Sequence, residues 1–291
     1  MNLEKIKKFF LSNIHTFSGI IVLCIVVFLY AFFFAPNIIN IAWLSVASLS
    51  ASVLVLASGA PSQRDNYLLN GEGMMALLAI LIGYIFFPKS VFIISFFCFA
   101  AIALYQVIRF LIEIDFFSVF AISIVIFIAG WYVVHSHGLS FSDIHAIFTG
   151  MLRSSVTVPH AAIIPFLLIV PLHVVVAKLR FEIRLFSLER DFFEATGYSY
   201  RAVLIGYAAL RCVLVAIIVL ASGVCSAAGM AVVPIKQTGH TADHINAFVR
   251  IAFAVHALAM IEAIFGSAIT LAAAICIVLV WPRIARRFLH D

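Results

Sequence analysis

Charge is what this chain has least of. Only 11% of its 291 residues are Asp, Glu, Lys or Arg, where an ordinary soluble domain carries roughly 25%; that shortage excludes a normal water-facing surface. Cysteine is sparse and shows no pairing pattern. Cys24, Cys98, Cys212, Cys225 and Cys276 stand singly in apolar runs with no Cys-x-x-Cys spacing, which argues against a disulfide framework or a zinc cluster and for small apolar packing residues. Also missing are a Ser/His/Asp order, a phosphate-cradling glycine loop and a diphosphate-binding Asp motif in a convincing context, so nothing supports an enzyme. The net charge of +5 comes mainly from loops and the C-terminal tail. It speaks to membrane topology and anionic headgroups rather than to nucleic acid.

What the chain has instead is long apolar stretches, 65% of it being hydrophobic. A span needs about 20 apolar residues to cross roughly 30 Å of hydrocarbon, and about ten stretches approach that length. They are Phe17 to Ala35, Ile38 to Ala57, Gly73 to Phe87, Val91 to Phe110, Phe116 to Val134, Ala161 to Leu179, Ala202 to Ser222, Gly223 to Ile235, Ala247 to Phe265 and Ser267 to Trp281. The eighth is short enough to be a re-entrant segment. The first follows Lys5, Lys7 and Lys8 like a secretory signal, but its apolar run is too long and bulky Phe33 blocks a cleavage site after Ala35. The expected fold is therefore all-α, a polytopic helical protein of the cell inner membrane embedded in the lipid bilayer.

Orientation follows the Lys/Arg bias of short loops. With the N-terminus inside, every one of the 18 basic residues except Lys89, Arg153 and Arg211 falls at the cytoplasmic face, which favours an even number of spans and two cytoplasmic termini. Ten spans divide into a first half, residues 1–134, and a second half, residues 161–291. Five spans per half force the halves to run upside down relative to one another, an arrangement frequent in secondary transporters. Between them lies an outer loop, 135–160, where Ile144, Ile147, Phe148, Met151 and Leu152 have helical spacing and predict a short amphipathic helix on the outer interface. The main cytoplasmic segment, 178–201, places Phe181, Leu185, Leu188 and Phe192 along one helical side, a surface for the protein's own spans or for a cytoplasmic or membrane partner subunit.

Ionisable residues within spans are costly and mark candidate chemistry. Arg211 in the seventh span and Glu262 in the ninth read either as an ion pair lining a substrate path or as a packing pair. His173 follows Pro165 and Pro171 in the sixth span, where proline frees backbone carbonyls that need partners; His256 in the ninth is of the same kind. These four are the candidate substrate path. Outside, His135, His137, His145 and His160 include a His-x-His pair suited to zinc or copper, so a metal ion is the one cofactor to consider. His240 and His244 lack the glutamate of a zincin site and read as loop or helix-cap residues.

Ala51-Ser52-Val53-Leu54, followed by Ala60-Pro61, Arg64, Asn66 and Gly71, resembles the HPP family of small membrane proteins, with Glu72-Gly73 standing where that family has Gly-His. The same region, with Trp43 opening the second span, together with Leu210-Arg211 opening a second apolar block, also resembles fusaric-acid-resistance type exporters. Both resemblances imply transport. The expected function is a transporter or permease subunit for a small or ionic solute; the alternatives are a non-transporting membrane subunit that assembles with a partner and a metal-dependent membrane enzyme.

Overall fold

The structure is a computed structural model that describes residues 14–33, 38–57, 66–68, 70–87, 90–111, 147–152, 160–179, 199–233 and 241–289, with isolated positions between 121 and 138 and at 195 and 197. Among the described residues it is helical without strands. The principal helices are α1 (Ile14–Phe33), α2 (Ile38–Ala57), α3 (Glu72–Phe86), α4 (Val91–Leu111), α5 (His160–Lys178), α6 (Tyr200–Ser222), α7 (Cys225–Ala231), α8 (Thr241–Phe265) and α9 (Ser267–Leu289). Four of them, α2, α4, α6 and α8, contain stretches long and apolar enough to cross a membrane, and α1, α3, α5 and α9 contain shorter apolar stretches.

Apolar residues cover these helices all round, so burial rather than hydrophobicity tells which side faces protein. Along α4, Ile94, Cys98 and Ile102 recur at every fourth position and are buried, while Phe92, Phe96, Leu104 and Val107 are exposed. A soluble protein would put charge on that outer side; here it is phenylalanine, leucine and valine, a side compatible with lipid. The five cysteines are all unbridged, with Cys98, Cys212 and Cys225 buried in packing positions.

The centre is built from α2 and α6, which pack on each other, with α3 and α4 to one side and α7 and α8 to the other. The pairing has a regularity. α4 packs on α3 as α8 packs on α7, α6 meets α4 as α2 meets α8, and α6 meets α3 as α2 meets α7. Exchanging α2 with α6, α3 with α7 and α4 with α8 leaves these contacts in place. On the outside of this core, α1 lies along α8: a Cβ on Gly19 would meet Val249, and further along Tyr30 packs edge-on against His256. Both contacts advance in the same direction, so α1 and α8 run parallel.

Three features depart from the sequence expectation. Residues 66–71, expected in a cytoplasmic loop, are buried wherever they are described. Asn66 donates through Nδ2 to the Ala227 carbonyl at 2.8 Å, and the Tyr67 hydroxyl donates to the Gly223 carbonyl at 2.5 Å. The Tyr67 bond satisfies a backbone acceptor at the break between α6 and α7, where a helix end leaves carbonyls without intrahelical partners, and the Asn66 bond ties the segment to the first turn of α7. Tyr67→Phe should therefore cost about 1–3 kcal/mol by stranding the Gly223 carbonyl, read as a lower unfolding midpoint in detergent; an unchanged midpoint would mean that another donor already serves that carbonyl.

The second departure is the outer-loop helix. Residues 147–152 are helical as expected, but Ile147, Phe148, Met151 and Leu152 are buried in the protein core rather than laid on headgroups. Backbone contact explains it, because the Val224 amide donates to the Phe148 carbonyl at 2.9 Å. A Cβ on Gly223, whose φ is +54°, would lie 1.6 Å from that carbonyl oxygen, and one on Gly150 would lie 2.4 Å from the Ala221 carbonyl oxygen. Only glycine lets the two segments approach this closely. Third, the stretch expected as a short eighth span contains the seven-residue helix α7, buried from Cys225 to Met230.

Candidate functional site

Arg211 is the twelfth of the 23 residues of α6, which puts its Cα roughly 16 Å from either helix end at 1.5 Å per residue. A guanidinium at such a depth needs an acidic partner. The partner is Glu72: Arg211 Nε donates to Oε1 at 2.6 Å and to Oε2 at 2.8 Å. Both side chains are buried, Glu72 at 0% exposure and Arg211 at 4%.

Local sequence explains how a carboxylate reaches that depth. Gly71 takes a left-handed φ of +83°, turning the buried 66–71 segment directly into α3, whose first residue is Glu72. A carboxylate in the first turn also sits favourably at the positive end of the helix macrodipole. Behind it, Gly73 lies against the Tyr67 ring, so the turn, the ring and the carboxylate hold one another in place. Two neutral groups complete the centre. Gln106 on α4 donates through Nε2 to Glu72 Oε1, and Tyr207, one turn before Arg211, accepts from its Nη1 at 3.2 Å. On α4, the neighbouring Tyr105 hydroxyl donates to the Asn70 carbonyl at 2.6 Å.

A single charge at the middle of a span costs about 2.5–3.5 kcal/mol on insertion scales. The Glu72–Arg211 pair cancels the net charge, and the Gln106 and Tyr207 bonds use further donor and acceptor capacity, the condition under which a buried pair is tolerated. Chemically the centre offers a guanidinium, a carboxylate able to take up a proton, an amide and a phenol. It can bind charge or exchange a proton; it contains no nucleophile and base in productive order.

The other expected path residues lie elsewhere. Glu262 is not the partner of Arg211: its Oε1 accepts from Thr149 Oγ1 at 2.7 Å. Thr149 sits where Gly150 touches Ala221 and Ser222, at the end of α6 roughly 16 Å along the helix from Arg211. His173, half-buried on α5, shares a 3.0 Å hydrogen bond between its Nε2 and Ser52 Oγ. Ser52 also donates to the Leu49 carbonyl at 2.8 Å. α5 continues as a helix through Pro165 and Pro171. His256 is buried, with Nδ1 2.7 Å from the Ala252 carbonyl.

Among the described residues no group of three or more His, Cys, Asp or Glu is arranged to hold a metal ion. Of the outer histidines, His135 is exposed, the side chain of His160 lies outside the described residues, and so do His137 and His145. Phe181, Leu185, Leu188 and Phe192 of the expected docking segment fall outside them as well. Glu72, Gln106 and Tyr207 are the site residues that sequence reasoning missed; the clue for Glu72 was the apolar run that follows it, whose 15 residues are few for a full span. No family model, curated protein or solved structure matches the chain.

Proposed function

We propose that this chain is an integral membrane transporter or permease subunit for a small or ionic solute, with the solute path passing the Glu72–Arg211 centre. The observation that carries this reading is the fully buried ion pair at the midpoint of α6, joined to the start of a helix too short to span. Intramembrane ionisable groups mark solute and ion paths by default. Two short or interrupted helices in corresponding positions of two halves point to a transporter binding site. Here α3 and α7 hold those positions, and the exchangeable contact pattern of α2, α3 and α4 with α6, α7 and α8 is what two inverted halves would produce.

In this reading the chain crosses the cell membrane about ten times, the short eighth crossing being built around α7, and both termini are cytoplasmic. The parallel course of α1 and α8 fits the odd number of crossings that separates the first and ninth spans. Topology is open to a direct check: single cysteines at positions 145 and 187 should react with an impermeant thiol reagent from outside and only from inside, respectively. Reaction of both from one face would remove the crossing assigned to α5.

Transport itself is tested by reconstituting the purified chain in liposomes and following counterflow of a panel of radiolabelled anions, cations and neutral solutes. Uptake of one class by the wild type, lost in the Glu72→Met/Arg211→Met double variant that leaves no buried charge unpaired, is the expected result. A chain that passes none of them, yet pulls a stable membrane partner from native membranes through the 178–201 segment, would instead be the non-transporting subunit.

A further inference from the structure

We propose that the Glu72–Arg211 centre takes up a singly charged anion together with one proton, the anion on the Arg211 guanidinium and the proton on the Glu72 carboxylate. This rests on the transport reading above and names its substrate class and coupling ion. It follows from charge balance at a site buried within the protein. Glu72 and Arg211, both buried and 2.6 Å apart, together make a neutral pair. Adding an anion to the intact pair leaves one uncompensated negative charge at mid-span, and adding a cation leaves one positive charge; both are penalised in hydrocarbon.

The two partners are not equivalent as proton donors and acceptors. A guanidinium stays protonated in proteins, whereas a carboxylate becomes neutral by binding one proton. Glu72 can therefore release Arg211 to a new counter-ion, but Arg211 cannot release Glu72 to a cation. The neutral charged-solute state is an anion on Arg211 beside a protonated Glu72. The neighbours suit that exchange. Gln106 now donates to the Glu72 carboxylate, and by turning its amide it can accept the acid proton instead, so it serves both protonation states. Tyr207, already against Arg211 Nη1, presents a hydroxyl able to donate to an oxyanion or halide. Among the described side chains, the titratable groups around Glu72 are Arg211, Tyr207 and Cys212 from α6, Tyr105 from α4 and Tyr67 from the preceding segment; of these Arg211 alone carries charge near neutrality. The cycle balances: the proton and anion enter together, both leave on the far side, and Glu72 pairs with Arg211 again with no net charge moved.

The test uses the purified full-length protein in detergent, with chloride, nitrate and pyruvate as probes in thermal-shift titrations between about pH 5.5 and about pH 7.5. One proton taken up per anion predicts an apparent Kd that weakens about tenfold per pH unit across this range. In Glu72→Gln the affinity should become flat with pH, and in the Glu72→Gln/Arg211→Gln double variant, which leaves no buried charge unpaired, binding should vanish. The wild-type slope alone decides the matter if Glu72→Gln does not fold. A preference for pyruvate identifies a monocarboxylate, and a preference for chloride or nitrate an inorganic anion. Binding without a pH slope, or no binding of any of the three at the acid end, overturns the proposal. Flux of a neutral or cationic solute without anion binding overturns it while leaving transport standing; pH-linked anion binding without flux supports the chemistry of the centre and removes the transport reading.

Discussion

Arg211→Met should destabilise the protein by about 3–5 kcal/mol, because it leaves the Glu72 carboxylate buried without its charge partner. Gln106 remains to donate to that carboxylate, but one neutral amide does not cancel a charge. The expected readout is loss of the monodisperse folded protein in mild detergent. Adding the second change, Glu72→Met, should recover most of the loss, since replacing both members of a buried pair by apolar residues of similar size is often neutral or stabilising. A double variant that folds but is inert in counterflow separates function from folding. If Arg211→Met alone folds as well as the wild type, Glu72 is being neutralised in another way and the pair is not a tight one.

Gly223→Ala should be comparably severe for a different reason. The position has φ +54° and a Cβ there would overlap the Phe148 carbonyl oxygen, so the 147–152 segment and the α6–α7 turn must separate, undoing the Val224 to Phe148 backbone bond. Forced overlap together with backbone strain belongs to the few mechanisms that exceed about 4 kcal/mol. Gly150→Ala should behave in the same way. Gly206→Ala is the control: it lies within α6 with open space around its Cβ position, and should gain about 0.5–1 kcal/mol from helix propensity. Urea or SDS unfolding of the three variants orders them; equal midpoints for Gly223→Ala and Gly206→Ala would rule out the close approach.

Much of the fold was legible because apolar runs are local. The runs containing α2, α4, α6 and α8 announce themselves by length, and α6 ends at Ser222 where glycine follows. Arg211 was legible for the same reason, a charge inside an apolar run being visible without any knowledge of neighbours. Its partner was not. Glu72 stands just before an apolar run, where a carboxylate is unremarkable, and it meets Arg211 across 139 positions of sequence; no periodicity encodes such a contact. Glu262 was the nearer candidate by its apolar surroundings, and its actual donor, Thr149, comes from an outer-loop helix whose apolar residues looked suited to a headgroup layer. The 66–71 segment reads as loop because polar residues and Gly71 interrupt the hydrophobic pattern; Asn66 and Tyr67 are held by the Ala227 and Gly223 carbonyls and Asn70 by the Tyr105 hydroxyl, partners that meet them only once the tertiary fold has formed.

The most direct measurement for a solute path at Glu72 and Arg211 is two-sided accessibility at that depth. Gln106→Cys, in a background with the five native cysteines replaced, puts a thiol beside the pair without removing either charge. A path that opens alternately predicts labelling by small impermeant thiol reagents from each face of the membrane, with solute shifting the balance between faces. A thiol sealed from both faces in folded protein, with and without solute, would contradict it and make the ion pair a packing device within a membrane subunit.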